Sequence, residues 1–351
     1  MKKIGILTLQ YALNYGGVLQ CYALKEVLKR QGYDAVIIDR IPDGFGLWYV
    51  IKRALIHPFT QKEFRGIRKV ELKPISKPIF SSKGLENILK SYDACIVGSD
   101  QVWRKAVFSV NGDYFFQNVN IPNVNKIAYA ASMGISEWEY TPDETKKIAS
   151  ALSRFKAISV REEDGVKVLR DNCQVSARWV IDPTMLASSE IYEPLIAKSN
   201  KDANGKIVTY ILDWTENKIK TINVIKARIG KSCYDINPQI KKRKSIWNRF
   251  VHEGVTVYDW VKLLATADFV ITDSFHGTVF SIIYNKPFYT IGNPERGMAR
   301  FTSLLGMFNL KDRLVSSSNL RFINIDYSKV NEILKQKRNE HLMFLNHNIQ
   351  D

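Results

Sequence analysis

The stretch 271–278, Ile-Thr-Asp-Ser-Phe-His-Gly-Thr, has the residue types of an acid–base site. Because its first residues are apolar, a buried strand is expected to deliver the polar side chains to the start of a helix. A histidine can donate or accept a proton at neutral pH, and a helix N-terminus adds positive potential that favours an anionic leaving group. We therefore predict that His276 is functional, with Ser274 and Gly277 beside it.

The segment 98–103, Gly-Ser-Asp-Gln-Val-Trp, is a second polar cluster behind an apolar run. A carboxylate and an aromatic ring are a common set for gripping the hydroxyls and the apolar face of a sugar, and the carboxylate can also act as a base. The residues expected to contact a ligand are Asp100, Gln101 and Trp103. The alternative is that Asp100 only caps the next helix.

A third candidate is Arg161, which follows the apolar run at 157–160. An arginine at the end of a buried strand is well placed for bidentate contacts with a phosphate or a carboxylate. An ion pair with Glu162 or Glu163 is the alternative.

The loop 10–17 runs from the first apolar stretch directly into a helical pattern and contains Asn14, Gly16 and Gly17. Paired glycines let the backbone approach a ligand, and the free N–H groups of a first helical turn attract anions or sugar oxygens. The pattern is not G-x-G-x-x-G, which disfavours nicotinamide and flavin cofactors. A tight strand-to-helix turn without a ligand is the alternative.

The elements that must position these residues alternate between short apolar runs and helical periodicity, which predicts open, parallel α/β sheets. We predict an N-terminal domain over 1–182, a C-terminal domain over 183–327, and a C-terminal helical segment over 328–351 that packs back on the first domain. The predicted strands cover residues 3–9, 34–39, 93–98, 126–132, 157–161, 206–212, 268–273 and 287–291.

The composition is that of a globular protein: 351 residues, 45% of them hydrophobic, are enough for two domains with separate cores. The sequence contains neither an apolar run long enough to span a membrane nor a signal sequence, so we expect a cytoplasmic protein. The four cysteines are far apart and lack a C-x-x-C pair, and we expect no metal site.

The formal net charge is +16, from 51 lysines and arginines against 35 aspartates and glutamates. Such an excess is compatible with nucleic acid, with an anionic membrane or with phosphorylated substrates. Its densest parts are 40–77 and 241–249, which we interpret as surface. Because no helix-turn-helix, RNP-like or zinc-finger pattern is present, we predict no nucleic-acid partner and keep a nucleic-acid-binding protein as the least favoured alternative.

The stretch 45–56, Phe-Gly-Leu-Trp-Tyr-Val-Ile-Lys-Arg-Ala-Leu-Ile, mixes aromatic, aliphatic and cationic residues. Such a segment can lie in the headgroup region of an anionic bilayer, and peripheral contact with the inner face of the plasma membrane is the slightly less favoured of two interpretations. The alternative is an amphipathic helix packed on the domain.

These strings occur together, and in this order, in the polysaccharide pyruvyl transferase family, which the chain resembles from about residue 3 to about residue 310. The matching segments are Asn-Tyr-Gly-Gly-Val-Leu-Gln at 14–20, Tyr-Ala-Leu at 22–24, Gly-Ser-Asp-Gln-Val-Trp at 98–103, Tyr-Ala-Ala-Ser at 129–132, Ser-Val-Arg-Glu at 159–162, Asp-Pro-Thr at 182–184 and Ser-Phe-His-Gly at 274–277.

The resemblance implies a GT-B-like architecture, in which two Rossmann-like domains face a cleft. It also implies transfer of pyruvate from phosphoenolpyruvate to a sugar of a cell-surface glycan, or of its undecaprenyl-diphosphate-linked precursor, to form a cyclic ketal. The acceptor would contact the N-terminal domain and the donor the C-terminal domain, with no cofactor besides the donor substrate. His276 would be the general acid, Asp100 the base, and Arg161 a ligand of the donor anion.

One departure concerns the donor site. Many members of the family have Arg-Leu-His-Gly where this chain has Ser-Phe-His-Gly at 274–277, so an arginine that helps to hold the donor is missing. We predict that Arg161, Arg296 and Arg300 carry that anion instead. Because of this departure, we retain a second function as the alternative, that of a GT-B glycosyltransferase that uses a nucleotide sugar.

Overall fold

The computed structural model describes residues 1–11, 13–41, 46–56, 61–105, 111–237, 255–316 and 320–350. The chain divides into two compact units. Unit 1 comprises residues 1–55, 68–187 and 335–351, and unit 2 comprises 56–67 and 188–334. The basic cluster predicted at 241–249 lies outside the described residues.

Unit 1 is built on a six-stranded sheet in which every strand pairs in parallel, in the order β2-β1-β3-β4-β5-β6. Its strands are β1 (Lys3–Leu7), β2 (Asp34–Ile37), β3 (Ala94–Val97), β4 (Asn125–Ala131), β5 (Ala157–Val160) and β6 (Arg178–Trp179). The central strands read as continuous apolar runs because helices cover both faces of a parallel sheet. β3, for example, is buried along its whole length.

Unit 2 repeats this arrangement with five parallel strands in the order β11-β10-β9-β7-β8. The strands are β7 (Ile207–Tyr210), β8 (Cys233–Asp235), β9 (Phe269–Thr272), β10 (Phe288–Ile291) and β11 (Leu314–Val315). The prediction of two open α/β sheets is therefore confirmed. The periodicity missed β6, β8 and β11, since two or three residues are too few to show a pattern.

The helices begin and end where local signals place them. The capping box of Thr141 and Glu144 begins the helix at Pro142, and Gly230, with φ 70°, ends another. The α-helices are α1 (Tyr15–Arg30), α2 (Leu47–Leu55), α3 (Lys62–Gly66), α4 (Ser82–Leu89), α5 (Asn111–Tyr114), α6 (Pro142–Leu152), α7 (Glu163–Cys173), α8 (Pro183–Leu186), α9 (Glu193–Ile196), α10 (Glu216–Ile229), α11 (Val257–Thr266), α12 (Phe275–Ile283), α13 (Ala299–Met307) and α14 (Tyr327–Gln350).

The division between the units differs from the predicted boundary at residue 182. Unit 1 extends to Ala187, because α8 packs against α1. Residues 61–67 belong to unit 2, where Gly66 lies so close to Tyr258 that an added Cβ would be 2.6 Å from its ring. In α14, residues from 335 onward belong to unit 1, and the backbone N–H of Ile181 donates to His341 Nδ1 at 3.1 Å.

Among the described residues, the model contains no helix with the length and apolar character needed to cross a membrane. The thiols of Cys21, Cys95 and Cys173 are free and buried, whereas Cys233 is partly exposed. Burial raises the pKa of Cys21 to about 12, which keeps that thiol protonated and unreactive.

Candidate functional site

Both sheets have a topological switch point, where the strand order reverses and ligands of open α/β folds usually bind. It lies between β1 and β3 in unit 1 and between β7 and β9 in unit 2. Segment 98–103 follows β3, and segment 271–278 comprises the end of β9, the turn after it and the start of α12. The sequence therefore placed its two best candidate sites at the sheet edges where the fold favours a ligand.

His276 lies in the first turn of α12, directly after β9, and its side chain is buried to 6% exposure. Ser274 is the N-cap of this helix, and its hydroxyl accepts a hydrogen bond from the N–H of Gly277 at 3.3 Å. The ring of Phe275 meets that of His276 edge to face, with centroids 5.2 Å apart. The histidine is thus held in a fixed place at the positive end of a helix.

Gly277 has a steric role. A Cβ at this position would lie 2.3 Å from Oγ1 of Thr272, so only glycine lets α12 pack this closely on the end of β9. The predicted donor contact of Gly277 is therefore limited to its backbone.

Asp273 was part of the sequence motif, but its role was not foreseen. Its buried carboxylate accepts from the N–H of Leu212 at 2.6 Å, from Lys218 Nζ at 2.6 Å and from Asn293 Nδ2 at 3.1 Å. It therefore joins the loops after β7 and β10 to the start of α12. The spacing could not show this, since its partners are far away in the chain.

Arg296 makes a bidentate contact with Asp213, with Nε 2.5 Å from Oδ2 and Nη2 3.0 Å from Oδ1. Hydrogen bonding to the Arg296 guanidinium lowers the pKa of Asp213 to about 2, so this carboxyl is ionised at neutral pH. The guanidinium carbon of Arg300 is 5.8 Å from the ring centroid of Phe275, the residue that precedes His276 in the chain. Arg300 also donates to the carbonyl oxygen of Arg296. Of the two predicted cations of unit 2, Arg300 therefore lies beside Phe275, and Arg296 is engaged by a carboxylate.

A cavity of about 670 Å³ lies within unit 2 at the carboxyl ends of β10 and β11. Residues that line it are Asp213, Asn217, Thr221, Ile291, Met298 and Val315. Lys218 also lines it, but its ammonium contacts Asp273 at 2.6 Å, so the described lining offers little net positive charge. A neutral, polyhydroxylated ligand suits such a surface better than a trianion does.

In unit 1, Asp100 has a backbone φ of 73°, a conformation that L-residues other than asparagine and aspartate rarely adopt. Its carboxylate is largely buried and lies 3.5 Å from Nη2 of Arg161. The backbone carbonyl of Asp100 accepts from the N–H of Ser132 at 3.0 Å. The side chain of Asp100 therefore points toward Arg161, which directly follows β5.

The structure places the guanidinium of Arg161 among carboxylates, which was the alternative considered from the sequence. Besides Asp100, it contacts Asp182 Oδ2 at 3.0 Å from Nη1 and Glu162 Oε1 at 3.5 Å from Nε. Burial opposes the charge, but the three carboxylates outweigh it and raise the pKa of Arg161. With its side chain almost fully buried, Arg161 does not offer the predicted bidentate surface to a donor phosphate.

Trp103 also differs from the expectation. Its indole is completely buried, donates from Nε1 to the carbonyl of Tyr114 at 3.0 Å, and stacks on Phe115 with centroids 5.2 Å apart. The aromatic ring is therefore part of the core of unit 1. Gln101 is half-buried and packs against Gly134, where a Cβ would lie 2.1 Å from Nε2.

Asn14 is the N-cap of α1 and its side chain accepts from the N–H of Gly17; Gly16 and Gly17 are buried in the first turn. A residue that the sequence did not single out connects this turn to the Asp100 loop. Gln20 donates from Nε2 to Thr8 Oγ1 at 2.9 Å and accepts from the N–H of Ser99 at 3.1 Å. The ends of β1 and β3 are thereby tied to one helix.

Solved structures with the same overall fold are GT-B-like enzymes. S. aureus MnaA in a co-structure with UDP is similar, with a TM-score of 0.51 and 13% identity over 97% of this chain and 90% of that one. The UDP-GlcNAc 2-epimerase of Methanocaldococcus jannaschii has a TM-score of 0.51 and 13% identity over 95% and 92%. At such identities the likeness shows the fold alone: this chain has a GT-B-like α/β fold.

The family follows from the sequence match. The model of the polysaccharide pyruvyl transferase family matches residues 14–295, which include both candidate sites. The chain belongs to this family of transferases. No curated protein matches it.

Proposed function

We propose that this protein transfers pyruvate from phosphoenolpyruvate to a sugar of a cell-surface polysaccharide, or of its undecaprenyl-diphosphate-linked precursor, and forms a cyclic ketal. Membership of the family supports the class of reaction. The observation that carries the proposal is the position of His276, buried at the N-terminus of α12 at the switch point of the unit 2 sheet.

In this reaction a proton is added to the methylene carbon of the donor, and a sugar hydroxyl attacks the adjacent carbon. The bond from that carbon to the bridging phosphate oxygen then breaks and inorganic phosphate leaves, after which a second hydroxyl attacks the same carbon. Both hydroxyl protons must be removed: one replaces the proton that the acid gave, and the other is taken up by the departing phosphate. We assign the proton donor to His276.

The donor anion needs positive potential near that acid. Candidates in unit 2 are the other N–H groups at the start of α12, the hydroxyl of Ser274, which accepts from the N–H of Gly277, and the guanidinium of Arg300 beside Phe275. Arg296 would contribute indirectly, because it neutralises Asp213. This set takes the place of the family arginine that is missing at Ser274.

Asp100 is proposed as the base for an acceptor hydroxyl, with Asn14, Gly16, Gly17 and Gln101 contacting the acceptor. Arg161 is reassigned from donor binding to positioning Asp100, since carboxylates surround its guanidinium. Three carboxylates against one guanidinium also make this part of unit 1 unfavourable for a trianionic donor.

The test combines two measurements on the full chain. Phosphoenolpyruvate and lipid-linked glycans are incubated with the protein, phosphate release is followed by 31P NMR, and the glycans are analysed by mass spectrometry. Phosphate release together with a pyruvate adduct is expected. Consumption of glycan without phosphate release would refute pyruvyl transfer.

A specific observation favours a second candidate, a glycosyltransferase that uses a nucleotide sugar. The unit 2 cavity has the volume of a site for a ligand of several rings and is larger than a three-carbon donor needs. The solved MnaA structure contains UDP. If this second function is correct, calorimetry should show that UDP binds to the protein. Thr221→Trp, whose larger side chain fills the cavity, should abolish that binding. Val224→Trp on the exposed side of the same helix is the control.

We further propose that the protein works in the cytoplasm at the inner face of the plasma membrane, where a lipid-linked acceptor would be presented. The net charge of +16 supports an acceptor that carries a diphosphate.

A further inference from the structure

Helix α2, Leu47–Leu55, presents its apolar side chains to solvent. Those of Leu47, Trp48 and Leu55 are 67%, 65% and 65% exposed, and that of Ile51 is 45% exposed. We call these four residues the α2 face. Ile56, directly after the helix, is 41% exposed and extends it.

The spacing shows that the α2 face is continuous. Leu47, Ile51 and Leu55 are four residues apart and therefore lie above one another on the helix, with Trp48 beside them. A helix that packs on its domain buries its apolar side, as α1 does. In α2, Tyr49 and Val50 are half-buried while the four residues of the α2 face are exposed, so packing against unit 1 does not explain why this face is apolar. Exposed apolar patches of this kind mark sites that are covered by a partner or a membrane.

The charges of α2 and of its unit indicate the kind of partner. α2 contains no acidic residue, and Nζ of Lys52 lies 5.5 Å from the ring centroid of Trp48. Lys69, Lys73 and Lys77 are exposed cations of the same unit, and the chain as a whole carries +16. A surface that combines apolar residues with cations is complementary to anionic lipid, which offers hydrocarbon beneath negative headgroups.

The residue types on α2 are those of a helix that lies at the surface of a membrane. Tryptophan favours the boundary between headgroups and hydrocarbon, and a lysine on the same helix can extend to the phosphates while its stem stays apolar. Nine residues of helix are too short to cross a bilayer and long enough to lie in its surface.

We infer that the α2 face docks the protein on an anionic membrane, with Trp48 at the level of the headgroups and Lys52 at the lipid phosphates. This inference does not depend on which reaction unit 2 catalyses. Its function would be to hold the enzyme where lipid-linked substrates are.

The experiment is flotation of the full chain with vesicles of phosphatidylcholine, with and without phosphatidylglycerol, at low salt. The protein should float with the anionic vesicles, less at high salt and much less with phosphatidylcholine alone. Replacing Trp48 and Ile51 together by serine should weaken partitioning by about ten-fold or more, since two large apolar side chains are lost from the interface. Lys52→Gln should weaken only the binding that depends on phosphatidylglycerol.

Met343→Ser is the matched control, because Met343 is an equally exposed apolar residue on α14, 66% exposed. Circular dichroism verifies that each variant is folded. The inference is overturned if the wild-type chain does not float with anionic vesicles, or if the Trp48/Ile51 variant floats like the wild type. It is also overturned if the same variant only converts a dimer to a monomer in sedimentation, since the α2 face would then bind a second copy.

Discussion

Arg161 donates from Nη1 to Oδ2 of Asp182 at 3.0 Å, and neither side chain has more than 1% of its surface exposed. Asp182 also accepts from Ser99 Oγ at 3.0 Å, directly before Asp100 in the chain. Arg161 contacts Asp100 itself at 3.5 Å. Asp182 therefore supports the candidate base in two ways, through the hydroxyl of Ser99 and through its ion pair with Arg161.

The first prediction concerns Asp182→Asn. The substitution weakens the hydrogen bonds that the buried carboxylate of Asp182 accepts from Arg161 and Ser99, and a hydrogen bond to a charged group typically contributes about 1.5–3 kcal/mol to the unfolding free energy. We expect a loss of that order in urea denaturation, together with a lower turnover and an unchanged apparent constant for phosphoenolpyruvate. The control is Asp171→Asn, whose pair with Arg170 is exposed and should contribute less than about 1 kcal/mol. Equal, small effects of both substitutions would contradict the role of Asp182.

The second prediction uses the left-handed backbone of Asp100. Asn tolerates a φ of 73° nearly as well as Asp, whereas Ala does not, so two substitutions separate chemistry from backbone strain. Asp100→Asn should keep the stability and lower turnover about 10²-fold or more, because the base is lost. Asp100→Ala should lose the same activity and in addition about 1 kcal/mol of unfolding free energy. If Asp100→Asn retains turnover, Asp100 is not the base.

The third prediction concerns the general acid. His276→Ala should reduce phosphate release by about 100-fold or more with the fold intact, since a positioned acid contributes about 10²–10⁴-fold. His347→Ala, at an exposed position of α14, is the control and should be silent. Unchanged phosphate release by His276→Ala would remove His276 from the mechanism.

The sequence predicted those parts of the fold and site that local pattern determines. Apolar runs gave the longer strands, and the segments 98–103 and 271–278 were correctly expected after them because strand ends follow from the pattern itself. What it could not predict depends on pairing across the chain. Whether Arg161 faces a phosphate or three carboxylates is decided by Asp182, and whether Trp103 faces a sugar or the core is decided by Tyr114 and Phe115.

The orientation of α2 is another feature that the sequence pattern alone does not determine. The composition of residues 45–56 is equally compatible with a packed helix and with a membrane-facing one, since both need one apolar side. Only the exposure of Trp48 and Leu55 distinguishes them.

The last prediction is a pH dependence of stability that arises at His341. This side chain is 1% exposed, and burial lowers its pKa to about 4; the cations of Lys337 and Arg178 act in the same direction, against the nearby carboxylate of Glu340. Its Nδ1 accepts from the N–H of Ile181, so the folded protein holds the ring neutral.

In the unfolded chain this histidine titrates near 6.5. As the pH falls from about 6.5 to about 4, the unfolded state therefore binds a proton that the folded state does not, and the free energy of unfolding decreases. The contribution present above pH 6.5 is roughly 3 kcal/mol and is lost by about pH 4. His341→Asn keeps an acceptor for Ile181 but does not titrate. The difference in unfolding free energy between wild type and this variant, measured in urea at intervals from pH 7 to pH 4, should shrink by that amount, because the titration of other groups cancels. Parallel curves over this range would show that His341 is not protonated on unfolding, and that the contact between α14 and unit 1 does not depend on its neutral form.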